Sequence, residues 1–219
     1  MEDKSNDYLT QAYSGIDLDQ PSMRSFLEEI TSTLVEHDVI APDRSLLDIG
    51  CGRGYLLEHL RRKGYDRLYG IEPSESLIHS AIFNGIRAGS FEKNDCANLS
   101  VDVVLTCHTL HHLPDRWPIA AIKEMARIAR QHVVVIEINN TNLPMFALSA
   151  LQQKVEVNAF RYNRNRVTKL FLQAGIPVTI SRNMKSGYIS GDTIFHRMAA
   201  IMGGTPYNIV VGDIRNLPM

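Results

Sequence analysis

The amino-acid sequence predicts an α/β protein with a doubly wound, mainly parallel sheet and helices on both of its faces. The first observation is an alternation, from residue 46 to residue 138, of short apolar runs with amphipathic segments at helical spacing. The second is the stretch 46–54, LLDIGCGRG, in which an apolar run ends in an acid and three alternating glycines precede a helical segment. A buried strand that turns directly into a helix needs this layout, because glycine tolerates positive φ and lets the backbone approach a ligand.

The strands and helices can be placed in order along the chain. An amphipathic helix is predicted at 21–37, because Met23, Phe26 and Ile30 recur at helical spacing. Pro118 gives a start signal for the helix before the fifth strand. The predicted strands are 46–49, 67–71, 87–91, 101–106 and 132–138, and the predicted helices between them are 54–63, 74–83 and 117–130.

The C-terminal part adds two further strands and two helical insertions. A helix at 167–175 is closed by a glycine, a strand follows at 176–181, and a last strand lies at 208–214. Apolar residues at helical spacing fill much of the segments 139–162 and 183–206. These insertions are expected to form a substrate wall at the carboxyl ends of the strands, or to pack on neighbouring elements or on a second subunit, which leaves a homodimer open.

Length and composition bound the class of protein. The chain has 219 residues, 44% of them hydrophobic, which suffices for one core, so residues 1–219 are interpreted as a single domain. The net charge of −1, with acids and bases interspersed, provides no basic stripe for a nucleic acid. No apolar run approaches membrane-spanning length and the first residues, MEDKSNDYLT, lack a signal region, so no membrane partner is expected. Three cysteines without a CxxC pair indicate a reduced, cytoplasmic protein.

The spacing of the glycines distinguishes two nucleotide-binding patterns. A dinucleotide fingerprint reads G-x-G-x-x-G, and its third glycine would fall at Tyr55. The chain instead reads Asp-x-Gly-x-Gly-x-Gly from Asp48. A second apolar strand, RLYGIE, ends in Glu72, where an α/β nucleotide site needs an acceptor for ribose hydroxyls. A nicotinamide-dependent oxidoreductase is therefore disfavoured.

Five motifs together resemble the class I S-adenosylmethionine-dependent methyltransferases, in particular those that act on small molecules. They lie in the family's order within 46–138, the expected cofactor-binding core, and read LLDIGCGRG, IEPSESLI, EKNDCANLS, VDVVLTCHTLHHLPD and EMARIARQHVVVIEI. The resemblance implies a Rossmann-like sheet of seven strands, mostly parallel with one antiparallel strand, whose last two strands form a hairpin at one edge. It also implies S-adenosylmethionine as the cofactor.

The resemblance also implies which residues bind that cofactor. In the family the acid at Asp48 stabilises the glycine loop and the amino group of the cofactor, and the acid at Glu72 accepts both ribose hydroxyls. Asp95 is expected to accept from the adenine amino group, although an acid in its KND setting also fits a turn. The full predicted set is Asp48, Gly50, Cys51, Gly52, Gly54, Glu72, Pro73, Asp95, Cys96 and Cys107.

Three histidines follow the fourth strand, next to the expected position of the methyl group. A zinc site is disfavoured because no cysteine or acid completes a recognised spacing, so no metal ligands are predicted. A general base is the functional interpretation, since histidine titrates near neutral pH, and packing beneath the loop is the structural one. His108 is the first candidate base, His111 is the second, and His112 is a candidate substrate contact.

Other candidate substrate contacts lie around this core. The family often places an N-terminal segment with a tyrosine over the cofactor, so residues 8–37 with Tyr13 are expected to form a lid or a surface arm. Arg161 and Tyr162 begin the run RYNRNR, which is either a solvated loop or a site for an acidic substrate, because guanidinium groups match carboxylate and phosphate. Asn139 follows the fifth strand and is expected to bind a polar substrate or to cap the next helix.

The sequence thus predicts a cytoplasmic enzyme that transfers a methyl group to an oxygen or nitrogen atom of a small metabolite, as in a biosynthetic pathway. One alternative is a non-catalytic scaffold with the same fold, which the complete set of cofactor motifs disfavours. A protein- or RNA-directed methyltransferase is another, weakened by the nearly neutral charge. Methylation of nucleic acid bases is disfavoured further, because the loop after the fourth strand reads TCHT where such enzymes carry Asn/Asp-Pro-Pro-Tyr/Phe.

Overall fold

The computed structural model describes residues 17–140, 158–186 and 207–217. The beginning of the expected N-terminal arm, including Tyr13, and most of both expected insertions lie outside the described residues.

A seven-stranded sheet forms the centre of the protein, with the strand order β3-β2-β1-β4-β5-β7-β6. Strands β1 to β5 pair in parallel, whereas β7 runs antiparallel to both β5 and β6. The predicted Rossmann-like sheet, mostly parallel with one antiparallel strand and a hairpin at one edge, is confirmed. The strands are β1 Leu46–Ile49, β2 Leu68–Glu72, β3 Ile86–Ala88, β4 Val101–Cys107, β5 Ala129–Ile138, β6 Val178–Met184 and β7 Tyr207–Asp213.

Helices cover both faces of this sheet, as predicted. Helix α1 has a proline in its first turn, and α5 begins after Asn163, whose side chain accepts a hydrogen bond from the backbone N–H of Arg166 at 2.9 Å. The helices are α1 Pro21–Glu36, α2 Tyr55–Arg62, α3 Glu75–His79, α4 Pro118–Ile128 and α5 Arg164–Gln173, and short 3-10 turns lie at Leu110–His112 and Ala159–Arg161.

Each face of the sheet has its own apolar core. On one face α1 and α2 bury Ile30 and Leu57 against alternate residues of the central strands. On the other face α4 and α5 bury Ile122 and Phe171 against the strand residues that point to that face. Burying each such side chain contributes about 1.5–3 kcal/mol, so the two layers hold the sheet from both sides.

Several element boundaries differ from the predicted ones. Helix α4 ends at Ile128 and β5 begins at once with Ala129, because Ala129 pairs with Val101 of β4 in the parallel ladder. Tertiary pairing here overrides the helical preference of the local sequence. Helix α5 begins at Arg164, so half of the RYNRNR run is helical rather than loop.

The end of α3 is also earlier than predicted. The helix stops at His79 instead of continuing to residue 83, and the chain then hydrogen-bonds to the glycine loop. The backbone N–H of Ile82 donates to the carbonyl of Arg53 at 2.9 Å, and Nε of Arg53 donates to the carbonyl of Ser80 at 2.7 Å. These contacts replace a further helical turn.

Among the residues that the structure describes, no helix is both long and apolar enough to cross a membrane.

Candidate cofactor and acceptor site

The glycine loop after β1 adopts a conformation that only glycine takes readily. Gly50, Gly52 and Gly54 have φ of 78°, 56° and 81°. A Cβ on Gly50 would lie 2.4 Å from Cγ2 of Thr109, so this residue also permits close approach of the loop after β4. A Cβ on Gly52 would meet nothing within 4 Å among the described residues, which leaves space for a ligand against the loop.

Glu72 connects the end of β2 to this loop. Its side chain is buried, with Oε2 accepting from the backbone N–H of Gly52 at 2.8 Å and Oε1 accepting from that of Ser74 at 2.9 Å. Burial raises the pKa of this carboxyl, and the two N–H donors act in the opposite direction. A carboxylate oxygen can accept more than one hydrogen bond. Glu72 can therefore hold the glycine loop and also accept hydrogen bonds from ribose hydroxyls.

Asp48 is buried beneath the same loop with an unsatisfied oxygen. Its Oδ1 has no hydrogen-bond partner among the residues that the structure describes. Burial, and secondarily the charge of Glu72, raises the pKa of Asp48 well above its ordinary value. An unpaired buried carboxylate is costly, so the position fits a cationic partner such as the α-amino group of S-adenosylmethionine.

The predicted adenine-binding segment lines a cleft of about 410 Å³ beside the end of β2. Asp95 faces this cleft and is exposed, and its carboxylate lies 3.1 Å from Nη1 of Arg87. Cys96 is half-buried and Pro73 is exposed. The lining residues are Ile71, Arg87, Ala88, Lys93, Asn94 and Asp95.

Two of the predicted cofactor residues are half-buried cysteines at the strand ends. Burial raises the pKa of the thiols of Cys51 and Cys107, and the negative charge of Asp48 adds to the effect at both. A thiol needs its thiolate form to act as a nucleophile. The raised pKa values disfavour that form, and both side chains pack against the apolar core on the α1 face of the sheet. Their contact with the cofactor stays a prediction.

The three histidines form a ring cluster just beyond β4. The ring centroids of His108 and His111 are 4.6 Å apart, and those of His111 and His112 are 4.0 Å apart. His108 has a left-handed backbone with φ of 59°, and its N–H donates to the carbonyl of Ile136 at 2.8 Å. The side chain of Thr109 donates to the carbonyl of Gly50 at 3.2 Å, which links the cluster to the glycine loop.

Glu137, near the end of β5, is the residue of this cluster that sequence reasoning missed. Its Oε1 lies 2.7 Å from Nδ1 of His111, and both side chains are fully buried. Oε1 also accepts from the N–H of Ile138 at 2.8 Å, and Oε2 accepts from the N–H of His111 at 3.3 Å. Although burial alone would raise the pKa of Glu137, the interaction with His111 outweighs it, and the pKa lies below the ordinary value.

The same three side chains bear on the question of a metal. The sequence argument against zinc was that no cysteine or acid completes a recognised spacing, yet the ligand atoms of His108, His111 and Glu137 lie within 4.8 Å of one another. However, three N–H groups donate to Glu137, and the 2.7 Å between Nδ1 and Oε1 is a hydrogen-bond distance. Two ligands on one ion with bonds of about 2.1 Å lie about 3 Å or more apart. The arrangement is that of a hydrogen-bonded pair.

The predicted substrate residues Asn139, Arg161 and Tyr162 form structural contacts around this cluster. Oδ1 of Asn139 accepts from the backbone N–H of Arg164, the first residue of α5, at 3.4 Å. Arg161 forms an ion pair with Asp115, and the hydroxyl of Tyr162 donates to the carbonyl of Leu110 at 3.1 Å. Their contact with a substrate stays a prediction, as does that of the half-buried His112, while Tyr13 lies outside the described residues.

The fold and the glycine loop, with acids at the ends of β1 and β2, define the class I methyltransferase architecture. The sequence profile of the methyltransferase domain family matches residues 21–186, so the chain belongs to this family. The chain therefore contains a methyltransferase domain of this class.

Three curated relatives each match less than half of the chain. The 27-O-demethylrifamycin SV methyltransferase of Amycolatopsis mediterranei is 34% identical over 119 residues, which cover 48% of this chain and 43% of that protein. The ubiquinone biosynthesis O-methyltransferase of Hahella chejuensis is 30% identical over 105 residues, covering 44% and 43%. A peramine synthetase of Metarhizium rileyi is 36% identical over 69 residues, covering 32% of this chain and 2% of that protein. The matched stretch thus spans less than half of these relatives.

Solved structures share the fold over nearly the whole chain. The structure of a complex between the Haloferax volcanii Trm112 methyltransferase activator and a methyltransferase matches with a TM-score of 0.71 at 17% identity, covering 97% of this chain and 98% of that chain. Geranyl diphosphate C-methyltransferase of Streptomyces coelicolor matches with a TM-score of 0.66 at 14% identity, covering 97% and 98%.

Proposed function

We propose that this enzyme transfers the methyl group of S-adenosylmethionine to an oxygen or nitrogen atom of a small metabolite. The observation that carries the proposal is a cluster of imidazoles backed by a buried carboxylate, adjoining the glycine loop of the cofactor site. Thr109 links the two parts, since its side chain donates to the carbonyl of Gly50. The two O-methyltransferase relatives support an oxygen acceptor by analogy.

The cofactor end of the site consists of groups that bind and orient the donor. Asp48 would pair with the α-amino group, Glu72 would accept the ribose hydroxyls, and Asp95 would accept from the adenine amino group. S-Adenosylmethionine supplies an activated methyl group on a sulfonium, so the enzyme needs to hold donor and acceptor within near-attack distance. The buried positions of Asp48 and Glu72 support that task.

The histidine cluster, at the acceptor end of the site, would remove a proton from the substrate. When a hydroxyl oxygen attacks the methyl carbon, the bond from carbon to sulfur breaks, its electron pair stays on the sulfur of S-adenosylhomocysteine, and the hydroxyl proton must leave. His108 is our first candidate to take that proton, because it follows β4 directly and is half-buried rather than sealed. His111 is the second candidate, and the negative charge of Glu137 would favour the imidazolium that forms.

The remaining parts of the chain have proposed supporting roles. We assign the cofactor-binding core to 46–138 within a single domain, a lid or arm to 8–37, and a substrate wall to the insertions at 139–162 and 183–206. A cytoplasmic location and a biosynthetic role are part of the same proposal. The nearly neutral charge supports a small molecule rather than a nucleic acid as acceptor.

The proposal is tested by binding followed by turnover. Calorimetry should show micromolar binding of S-adenosylhomocysteine, and S-adenosylhomocysteine release should be measured with a panel of hydroxyl- and amine-bearing metabolites in parallel with total RNA and an unfractionated protein substrate. Turnover with metabolites alone is the expected result. Methyl incorporation confined to RNA or protein would contradict the proposal.

A further inference from the structure

Tyr207 lies at the edge of the sheet where the parallel strands have their carboxyl ends. The proposed acceptor site lies at the same edge. It is the first residue of β7, and it pairs with Ile138 of β5 on one side and with Met184 of β6 on the other. Strand β5 in turn pairs with β4, whose end leads into His108. Tyr207 is therefore two strands away from the histidine cluster at the same edge.

The ring of Tyr207 is buried between two other rings. Its centroid lies 4.7 Å from that of Phe26 on α1 and 5.5 Å from that of His108, with the His108 ring close to edge-on at 64°. Only 7% of Tyr207 is exposed. Tilted and edge-on arrangements at these distances are the favoured geometries for aromatic contacts. The three rings thus form a continuous contact from helix α1 to the acceptor site.

Helix α1 is held firmly against the β6–β7 hairpin. The carboxylate of Glu29 accepts from the backbone N–H of Lys185 at 2.8 Å and from that of Ser186 at 2.5 Å. The hydroxyls of Ser25 and Ser186 lie 2.9 Å apart. Hydrogen bonds to a charged acceptor are stronger than neutral ones, so Phe26 has a defined position relative to Tyr207.

Ring contacts contribute to the orientation of His108. This residue follows β4 directly, lies outside helix and strand, and has a left-handed backbone. Its other ring contacts in the described part of the chain are with His111 and His112 of the same loop. Among the described residues, Tyr207 contacts the ring of His108 from a different element, strand β7.

We propose that Tyr207 is a positioning residue for the acceptor site, which transmits the placement of helix α1 through Phe26 to the imidazole of His108. The inference rests on the proposed function, in which His108 faces the acceptor. A positioning role requires the ring of Tyr207, so phenylalanine should replace it and an aliphatic side chain should not. Ring contacts of this type bias an orientation by about two- to tenfold.

The first measurement needs no substrate. The ring resonances of His108 are assigned by their loss in His108→Gln, and the rate of carbethoxylation of His108 by diethyl pyrocarbonate is followed by mass spectrometry. Tyr207→Leu should shift the resonances and change the modification rate by about two- to tenfold, while Tyr207→Phe should resemble the wild type. Tyr69→Leu, on the exposed face of β2, is the matched control and should change neither. Unchanged His108 signals in Tyr207→Leu would overturn the proposal.

A second variant protects the test against misfolding. If circular dichroism shows that Tyr207→Leu does not fold, Phe26→Leu is measured in its place. The same chain of contacts predicts the same change at His108. A His108 that is unchanged in a folded Phe26→Leu overturns the proposal equally. Once an acceptor is known, either variant should lower kcat more than it raises KM. Failure to bind S-adenosylhomocysteine would count against the proposed function, whereas the signals of His108 report on positioning alone.

Discussion

Oε1 of Glu137 lies 2.7 Å from Nδ1 of His111, and neither side chain is exposed to solvent. Glu137 comes from β5 and His111 from the 3-10 turn after β4, so the parallel pairing of these strands brings together residues that are 26 positions apart. A buried carboxylate without a partner would be expensive, and a buried imidazole is fixed by donating one ring proton. The pair therefore anchors the loop that carries the histidine cluster.

Breaking this pair should destabilise the protein. We expect Glu137→Ala to lower the free energy of unfolding by about 3–5 kcal/mol, because it removes the buried carboxylate that pairs with Nδ1 of His111. Denaturant unfolding measures the effect. Glu137→Gln, which keeps an acceptor oxygen, should be milder. Equal stability of the alanine variant and the wild type would show that the pair is not structural.

The same pair should make stability depend on acidity. The pKa of Glu137 is lower in the folded protein than its ordinary 4.5, so folding favours the ionised form. Its stabilisation is fully present above the ordinary value and is lost as the pH falls through the folded-state pKa. The unfolding midpoint of the wild type should therefore fall more steeply below about pH 4.5 than that of Glu137→Gln. Parallel curves would contradict this assignment.

Glu72→Ala should weaken binding of the cofactor. Loss of a charge-assisted pair of hydrogen bonds costs about 2–3 kcal/mol, or roughly 30- to 150-fold in the dissociation constant of S-adenosylhomocysteine. Since Glu72 also accepts from Gly52 and Ser74, the melting temperature should fall as well. Calorimetry with Glu75→Ala, an exposed acid on α3, provides the control. An unchanged dissociation constant would refute the ribose assignment.

Asp48→Asn should raise the stability of the ligand-free protein and lower its affinity for the cofactor. The folded-state pKa of Asp48 is raised, so ionisation of this carboxyl opposes folding of the free enzyme once the pH exceeds its ordinary 3.8. Removing the charge should stabilise the ligand-free protein near neutral pH and weaken binding of S-adenosylmethionine by roughly 10- to 150-fold. Thermal unfolding and calorimetry measure the two effects. A destabilised variant with native affinity would contradict both expectations.

His108→Ala tests the proposed proton acceptor. For a hydroxyl substrate, turnover should fall by roughly 10²–10⁴-fold with little change in cofactor affinity, and any inflection near neutral pH should disappear from the rate profile. His111→Ala is the comparison, and its buried pairing predicts a loss of stability as well. Near-native turnover of His108→Ala would mean that the site works by positioning the reactants, as expected for an acceptor nitrogen that is already neutral.

The sequence by itself determined the glycine loop and the strands that lead to Asp48 and Glu72, because that information is local. An apolar run that ends in Asp48, followed by glycines at alternate positions, leaves few conformations other than a strand, a tight turn and a helix, and all three glycines have positive φ in the structure. Glu72 was placed at the end of β2 by the same reasoning. The alternation of segments then indicated a parallel sheet with helices on both faces.

Only the tertiary structure decided the acceptor end and the element boundaries that depend on distant partners. The start of β5 at Ala129 is determined by pairing with β4, which no periodicity within that segment records. The sheet brings Glu137 against His111, 26 positions away in the sequence, and the ring of Tyr207 contacts that of His108, 99 positions away. Such contacts arise from strand order and helix packing, so their energy depends on residues far apart in the chain and leaves no local pattern.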